Sequence, residues 1–279
     1  MKYSIFKTDE MRDKFREYYK HVLSQFPFGQ QYINTTFGQT FMITAGQESN
    51  PPIILLHGSC SNSAFWFPEI IALSNNYRVY AVDIIGEAGN SEEYRPDLNS
   101  EAFARWMKDI HDALGLEKAV MIGNSLGGWM ALKFATTYPE RVSKLVLLAS
   151  AGLADVRPQF ISNVAQNRQA DGTVPIDPTI IGEHDIPKEV LDFMNLIAES
   201  YSPIQHLPVY TDEQLQHLKM PVLFIDGADD VIIDADRSAQ RLSHLVPSAK
   251  IHLLTNCGHM ITNSIEFIIP FLEKSIKIK

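Results

Sequence analysis

The chain has 279 residues, 45% of them hydrophobic and 20% charged, which favours one large globular α/β domain over a disordered or fibrous chain. Its net charge of −9, with no basic stripe to offset the repulsion, argues against binding to nucleic acid or to anionic membranes. Residues 1–20 lack the apolar region of a secretory signal, and Cys60 and Cys257 neither require an oxidising compartment nor match a zinc-ligand pattern, so we expect a cytoplasmic protein.

The first predicted elements are two short strands around Phe37, Gly38 and Gln39, which we expect to form a hairpin on one edge of a sheet. Continuous apolar runs of strand length then begin at Ile53, Val79, Ala119, Leu145, Val222 and Ile251. Helix-like segments lie between and after these runs, at residues 69–74, 101–114, 126–138, 237–245 and 265–272. Because the runs are continuous and alternate with helices, they predict a mostly parallel central sheet with helices on both faces. The longest apolar run, Leu145 to Ala154, is too short to cross a membrane as a helix.

One connection in this pattern is much longer than the sheet requires. Leu145 and Val222 start successive predicted strands but lie 77 residues apart, whereas a crossover with one helix needs about 30 residues in all. We expect the surplus, residues 155–211, to form a helical cap over the strand ends, and we call this segment the insertion. Residues 1–154 and 212–279 then make up the core domain.

The clearest predicted element of the insertion is a helix within residues 185–203. Asp185 and Pro187 are helix-start signals, and Pro203 is a stop signal. One helical stripe carries the side chains of Val190, Phe193, Met194, Ile197 and Tyr201. This stripe predicts a helix that packs one face against the rest of the protein.

The segment Gly123-Asn124-Ser125-Leu126-Gly127 matches the pattern G-x-S-x-G where a predicted strand turns into a predicted helix. A sharp turn at this point holds the serine in a strained backbone conformation and lifts its hydroxyl clear of the sheet. Side chains two positions either way would collide, so glycine is needed at both. A serine that only caps the helix would need neither glycine. The pattern therefore predicts that Ser125 is a nucleophile.

A serine nucleophile needs a base to take its proton, and the base needs an acid to orient it. Asp230 follows the fifth apolar run and His259 follows the last, so the chain order is Ser, Asp, His, each beyond the carboxyl end of a strand. We predict that both are catalytic together with Ser125. Asp226 and Asp229 are close neighbours of Asp230, and we expect at least one of them to be solvated or to cap the next helix.

The carbonyl of an acyl substrate needs donors for the negative charge that develops on its oxygen. A His-Gly turn follows the first parallel strand, so the backbone N–H groups of Ser59 and Leu126 are the predicted oxyanion-hole donors. We expect His57 to hold this turn rather than to act as a second base. No metal is predicted, because Ala228 takes the place of a calcium ligand in the acidic run that follows residue 225, and the mechanism requires no other cofactor.

Five segments in chain order resemble motifs of the α/β-hydrolase superfamily: LLHGS at 55–59, VDIIGEAGNS at 82–91, GNSLGG at 123–128, GADDVIID at 227–234 and CGHM at 257–260. The resemblance runs from about residue 40 to the C-terminus and leaves only the insertion unmatched. Within the superfamily the chain is most similar to small bacterial serine carboxylesterases with a helical cap. The resemblance implies an α/β-hydrolase fold and hydrolysis of small to medium carboxylic esters through an acyl-enzyme intermediate, with a small-molecule ester as the binding partner.

The resemblance also leaves alternatives open. Some members place the acid one strand earlier, near Asp155. Members with an aspartate nucleophile, the haloalkane dehalogenases and epoxide hydrolases, are disfavoured because Ser125 holds that position. Carbon–carbon bond hydrolases of the meta-cleavage type share the G-N-S-x-G-G elbow, but residues 59–62 replace their glycine-rich oxyanion loop and Met260 replaces their usual tryptophan. A non-catalytic small-molecule sensor on the same fold is a further alternative.

We expect the substrate pocket to lie beneath the insertion. Its candidate residues are Trp129, Phe160, Phe193, Met194, Ile197 and Met260. Packing in a core is the competing role for Trp129 and for the stripe residues of the insertion helix. Cys60 and Cys257 are expected near the site, where inert burial is favoured over a functional thiol. The sequence predicts no oligomeric state.

Overall fold

The computed structural model describes residues 4–169, 174–180, 182 and 186–274, and an eight-stranded sheet forms its centre. The strands are β1 (Gly29–Thr35), β2 (Gly38–Ala45), β3 (Pro52–Leu56), β4 (Arg78–Val82), β5 (Ala119–Asn124), β6 (Val142–Leu148), β7 (Val222–Gly227) and β8 (Lys250–Leu254). The helices are α1 (Asp9–Ser24), α2 (Phe67–Leu73), α3 (Ala102–Ala113), α4 (Leu126–Thr137), α5 (Pro158–Asn167), α6 (Lys188–Ser200), α7 (Asp212–Leu215), α8 (Ala235–Leu245) and α9 (Ile265–Glu273). Short 3-10 helices lie at Ser63–Trp66, Pro139–Arg141 and Pro178–Ile180. Within the described ranges, no helix is long and apolar enough to cross a membrane.

The strands lie in the order β1-β2-β4-β3-β5-β6-β7-β8. β1, β2 and β4 pair in antiparallel fashion, and the pairs from β4 onward are parallel. The hairpin of β1 and β2 closes at Thr35 and Gly38, so the hairpin predicted at one edge of the sheet is confirmed. Gly38 has a φ of 108°, a left-handed value that favours glycine. The sheet is mostly parallel, as the alternation of strands and helices predicts.

Helices cover the sheet on both faces, because alternate residues of its central strands are buried in different clusters. In β3, Ile53 and Leu55 pack with residues of α1, α2 and α9, whereas Ile54 and Leu56 pack with residues of α3, α4 and α8. All four side chains are 0% exposed. A strand buried on both faces has a continuous apolar sequence, which is why the parallel strands could be located from the sequence.

Helix α1 is not among the elements predicted from the sequence. The segment is rich in charged residues and therefore has the composition of a solvated stretch. Phe15, Tyr19 and Leu23 nevertheless follow one another at a spacing of four residues, and they are the buried residues of the helix. This spacing puts their side chains on one face, which packs against α6 of the insertion.

The described part of the insertion contains α5 and α6. Helix α6 confirms the helix predicted within residues 185–203, with Pro187 at its N-cap and Tyr201 at its C-cap. Asp185, the other predicted start signal, lies outside the described residues. Helix α5 is not among the predicted elements. An antiparallel bridge between Phe6 and Tyr201 joins the end of α6 to the N-terminal segment of the core.

Candidate active site

Ser125 stands on the turn between β5 and α4, with a φ of 51° and a ψ of −110°. This left-handed φ is uncommon for a residue with a side chain and indicates local strain. A Cβ atom at Gly123 would overlap the carbonyl oxygen of Gly127, and one at Gly127 would overlap the carbonyl oxygen of Leu56. The predicted need for glycine at both positions is therefore confirmed. The Ser125 side chain makes no capping hydrogen bond, so helix capping does not account for the serine.

Three side chains that are far apart in the sequence meet at the carboxyl end of the sheet. His259 Nε2 lies 2.9 Å from Ser125 Oγ, and His259 Nδ1 lies 2.6 Å from Asp230 Oδ2. The three residues follow β5, β7 and β8. Because His259 is 8% exposed and Asp230 is 2% exposed, the hydrogen bond between them lies in surroundings of low dielectric constant, which strengthens it, whereas the hydrogen bond to Ser125 is only partly buried.

The surroundings of Asp230 suit an ionised carboxylate. Its Oδ1 accepts the N–H groups of Ile232 at 2.6 Å and Ile233 at 3.0 Å, which leaves Oδ2 for His259. Burial by itself raises the pKa of Asp230, but the interaction with His259 and the two backbone hydrogen bonds outweigh burial and hold this pKa below its usual value. Arg157 of the insertion donates from Nε to the Asp230 carbonyl oxygen at 2.9 Å and thereby holds the loop that carries the acid.

Two other acidic residues considered in the sequence analysis, Asp229 and Asp155, do not contact the imidazole of His259. Asp229 is exposed, which meets the expectation that a neighbour of Asp230 is solvated. The Asp155 side chain is 68% exposed and lies 3.7 Å from Arg237. The cap of α8 is Asp234, whose side chain accepts the N–H of residue 237.

The sequence does not indicate that the Asp226 side chain is buried. Its side chain is fully buried at the end of β7, where Oδ1 accepts the Gly227 N–H at 2.8 Å and Oδ2 has no hydrogen-bond partner. Burial, followed by the charge of Asp230, raises the pKa of Asp226 to about 9. Asp226 is therefore a neutral acid at pH 7, next to an acid that is ionised.

The turn after β3 lies beside Ser125, since a Cβ atom at Gly58 would be 3.5 Å from Ser125 Cβ. His57 is buried in this turn, where its Nε2 accepts the Ile84 N–H at 3.0 Å and its Nδ1 lies 2.8 Å from the Gly58 carbonyl oxygen. An accepting Nε2 assigns the ring proton to Nδ1. Burial lowers the pKa of His57, so the ring is neutral and its two hydrogen bonds hold the turn.

Both predicted oxyanion donors border this part of the site. Ser59 directly follows Gly58, and Leu126 is the first residue of α4, where a backbone N–H has no partner within the helix. The hydroxyl of Tyr201, at the end of α6, lies 3.2 Å from Ser59 Oγ and accepts the N–H of Cys60 at 2.9 Å. The sequence places Tyr201 only on the apolar stripe of the insertion helix, so this polar contact is not predicted. A hydroxyl at the end of an otherwise apolar stripe is the one signal that the sequence offered for it.

Trp129 and Phe193, two of the candidate pocket residues, make packing contacts. Trp129 is 1% exposed, and its Nε1 donates to the Pro208 carbonyl oxygen at 2.8 Å. The Phe193 ring centre lies 6.1 Å from that of Phe15 in α1 and 5.5 Å from that of Phe65. These contacts agree with the core role weighed for both residues. Trp129 meets Ser125 only through the backbone, where its N–H donates to the Ser125 carbonyl oxygen at 3.0 Å.

The other pocket candidates are spread around the site. Phe160 lines a cleft of about 480 Å³ between α5 and the loop after β7, whose lining includes Asp230 but not Ser125 or His259. Met260 directly follows His259 and donates its backbone N–H to the Ile180 carbonyl oxygen at 3.0 Å. Met194 and Ile197 are buried residues of α6.

Neither cysteine forms a disulfide, and burial dominates the chemistry of both thiols. Burial raises the pKa of the Cys60 thiol to about 11, and it also raises the pKa of Cys257. Thiols that stay protonated at neutral pH are poor nucleophiles. In the described part of the chain, no group of three or more His, Cys, Asp or Glu side chains could hold a metal ion.

The pattern that defines the alpha/beta hydrolase fold family matches residues 51–176. Carboxylesterase YbfK of Bacillus subtilis is 33% identical to this chain, and the match covers 89% of this chain and 88% of the relative. The crystal structure of carboxylesterase CesB (YbfK) from Bacillus subtilis has a TM-score of 0.82 and 31% identity, and covers 94% of this chain and 97% of that chain. A 2-hydroxy-6-oxononadienedioate/2-hydroxy-6-oxononatrienedioate hydrolase of Paraburkholderia phymatum is 29% identical over 82% of this chain and 88% of the relative.

The chain belongs to the α/β-hydrolase fold family. The protein is a hydrolase, similar to bacterial carboxylesterases along most of its length. Both the fold and the family expected from the sequence are thus confirmed.

Proposed function

We propose that the protein is a serine carboxylesterase that cleaves small to medium carboxylic esters through an acyl-enzyme intermediate. The observation that carries this proposal is the continuous hydrogen-bond chain from Ser125 Oγ through His259 to Asp230 Oδ2, with distances of 2.9 and 2.6 Å. Such a chain is the geometry by which a base activates a serine hydroxyl. The similarity to two Bacillus subtilis proteins named carboxylesterases supports an ester as the substrate.

In the proposed mechanism Ser125 Oγ attacks the ester carbonyl while His259 Nε2 takes the hydroxyl proton. Asp230 fixes the imidazole in the tautomer with its proton on Nδ1 and stabilises the imidazolium that forms. The tetrahedral intermediate collapses, and the alcohol leaves with the proton from Nε2. A water molecule then attacks the acyl group and gives a proton to His259 Nε2. The imidazolium returns this proton to Ser125 Oγ as the acyl bond breaks, which releases the carboxylic acid and restores the free serine.

The backbone N–H groups of Ser59 and Leu126 are the proposed donors to the carbonyl oxygen of the substrate. The closeness of Gly58 to Ser125, with a hypothetical Cβ at 3.5 Å, supports this role for the turn after β3. Donors fixed in the backbone stabilise the developing charge without reorganising, and loss of one typically lowers the rate about a hundredfold to a thousandfold. The chemistry needs no cofactor.

We further propose that the insertion caps the substrate pocket. In an apolar pocket each methylene of the substrate changes the binding free energy by only about 1–3 kcal/mol. We therefore expect a graded preference for acyl-chain length rather than strict selection of one ester. The proposed pocket residues, which include Phe160 and Met260, would tune this preference.

A meta-cleavage type of carbon–carbon bond hydrolase is the second candidate. The 29% identity to the hydrolase of Paraburkholderia phymatum favours it. Two features weigh against it: residues 59–62 carry no glycine-rich oxyanion loop, and Met260 follows His259.

Turnover assays of the purified chain separate these functions. The wild type, Ser125→Ala and a control, Ser143→Ala at the amino end of β6, should be incubated with p-nitrophenyl acetate, p-nitrophenyl butyrate and a meta-cleavage dienoate. We expect many turnovers of both esters by the wild type and the control, and none by Ser125→Ala. Turnover of the dienoate but of neither ester would favour the second candidate. Labelling of Ser125 by a fluorophosphonate without turnover of any substrate would indicate a sensor.

A further inference from the structure

A buried tyrosine hydroxyl from the insertion contacts the turn after β3. The Tyr201 hydroxyl accepts the Cys60 N–H at 2.9 Å, lies 3.2 Å from Ser59 Oγ and donates to Glu87 Oε2 at 2.8 Å. Tyr201 is 0% exposed and Glu87 is 1% exposed. A buried carboxylate needs strong partners, so the position of this hydroxyl is closely defined.

The backbone that receives this contact is strained. Cys60 has a φ of 54°, in the left-handed region that residues with a side chain seldom adopt. Such a conformation persists only where the surrounding structure fixes it. The hydrogen bond from the Cys60 N–H to Tyr201 fixes the peptide that joins Ser59 to Cys60. The Ser59 N–H, one peptide earlier, is the donor proposed for the oxyanion.

Tyr201 is itself anchored to the core from two directions. Arg95 Nη2 donates to Glu87 Oε1 at 3.2 Å and to the carbonyl oxygen of Ser202 at 3.0 Å, so it joins the acid to the residue after Tyr201. On the other side, the Ser202 N–H donates to the Ile5 carbonyl oxygen at 3.0 Å. The hydroxyl therefore reaches the Ser59–Cys60 turn only when the end of α6 is docked on the core.

We propose that Tyr201 and Glu87 are positioning residues for the oxyanion hole: the hydroxyl of Tyr201, oriented by Glu87, sets the Ser59–Cys60 peptide so that the Ser59 N–H faces the substrate carbonyl. This inference rests on the proposed esterase function. It couples the docking of the insertion to transition-state stabilisation, because the residue that sets the turn belongs to the insertion. Substrate binding in the ground state does not depend on this orientation to the same extent, so the effect falls on kcat more than on KM.

The charge of Glu87 gives this arrangement a dependence on pH. Burial raises the pKa of Glu87 to about 7, although the charge of Arg95 and the hydrogen bonds from Tyr201 and Arg95 act in the opposite direction. The titratable groups around Glu87 are Arg95, Tyr201 and Cys60, and burial raises the pKa values of both Tyr201 and Cys60, so these two stay neutral near pH 7. An ionised Glu87 can only accept, so the Tyr201 hydroxyl donates its proton to the carboxylate and accepts the Cys60 N–H with an oxygen lone pair. A protonated Glu87 can donate to the hydroxyl and weaken that arrangement.

The test compares Tyr201→Phe and Glu87→Gln with Tyr210→Phe in steady-state hydrolysis of p-nitrophenyl butyrate. Tyr210 is a matched control, since it is 4% exposed and its hydroxyl donates to the Trp129 carbonyl oxygen at 2.8 Å, away from the turn. Misplacement of a catalytic donor by about 1 Å costs on the order of a hundredfold in rate. We expect kcat of Tyr201→Phe to fall by about tenfold to a hundredfold with KM within about threefold, and kcat of Tyr210→Phe to stay within about twofold.

Glu87→Gln provides the second measurement, and it keeps the test decisive if Tyr201→Phe does not fold. The ratio of wild-type kcat to Glu87→Gln kcat should rise between pH 6 and 8, because the wild type ionises Glu87 over this range and the variant cannot. Taking the ratio cancels any dependence on pH that the two enzymes share. A kcat for Glu87→Gln equal to that of the wild type at pH 8, or a folded Tyr201→Phe no slower than Tyr210→Phe, would overturn the inference alone. Failure of the wild type to hydrolyse any ester would overturn the proposed function and this inference with it.

Discussion

Asp226 lies at the end of β7 and Asp230 lies in the loop that follows it, and the pKa values of their carboxyl groups are shifted in opposite directions. The pKa of Asp226 is raised to about 9 by burial and by the charge of Asp230, whereas His259 and two backbone hydrogen bonds hold the pKa of Asp230 below its usual value. Near pH 7 the strand end therefore carries a neutral acid, Asp226, and the loop after it an ionised acid, Asp230. Only the ionised acid contacts His259.

The neutral state of Asp226 has a consequence for stability. Because the folded protein keeps a proton on Asp226 that the unfolded chain releases above about pH 4, stability from this group falls as pH rises toward 9. Asp226→Asn replaces the neutral acid by a neutral isostere, so its melting temperature should decline less between pH 5 and 8 than that of the wild type. Asp229→Asn, at the exposed neighbour, should keep the wild-type slope. Differential scanning calorimetry measures these melting temperatures. If the melting temperatures of Asp226→Asn and the wild type change equally with pH, Asp226 is not neutral in the folded protein.

The contact between Asp230 and His259 makes a prediction about catalysis. Asp230→Asn retains the size of the side chain but favours the wrong tautomer of the imidazole, so kcat should fall by about ten-thousandfold. The matched variant Asp229→Asn changes an exposed carboxylate one position away and should leave kcat within about twofold. Hydrolysis of p-nitrophenyl butyrate measures both. A similar loss in the two variants would show that charge in this loop, rather than contact with His259, is responsible.

The turn around Ser125 can be tested by adding single methyl groups. A Cβ at Gly123 would overlap the Gly127 carbonyl oxygen, and overpacking against backbone destabilises a protein by about 1–3 kcal/mol or more. We expect Gly123→Ala to lower the free energy of unfolding and to abolish turnover. Gly115→Ala is the control, because Gly115 has a φ of 66° and no atom within 4 Å of the added Cβ. That variant should lose about 1–2 kcal/mol through its left-handed backbone and retain wild-type kcat. Full turnover by Gly123→Ala would mean that the turn has more room than the structure gives it.

The parallel strands and the turn that carries Ser125 could be predicted because their physical requirements are local. A strand buried on both faces needs a continuous apolar run, and the turn at Ser125 needs small residues at Gly123 and Gly127. The partners Asp230 and His259 could be placed because parallel strands bring their carboxyl ends to one edge of a sheet. Each of these signals lies within a few neighbouring residues.

Other features depend on contacts between distant segments and carry no local signal. The buried face of α1, formed by Phe15, Tyr19 and Leu23, is diluted by charged residues on the exposed face of the same helix. The hydroxyl of Tyr201 meets a backbone N–H 141 residues earlier in the chain. Asp226 is buried because it lies at the end of β7, whereas Asp229, three residues later in the same acidic run, is exposed.

Mass spectrometry of the enzyme during turnover tests the central claim most directly. Rapid mixing with p-nitrophenyl butyrate, acid quenching and peptide mapping should reveal a butyryl group on Ser125 that forms with the first release of nitrophenol and then decays. Ser125→Ala should show neither the adduct nor the release while keeping the wild-type melting temperature. Steady ester hydrolysis by Ser125→Ala at the wild-type rate, or an acyl group found on another residue of the wild type, would contradict the account.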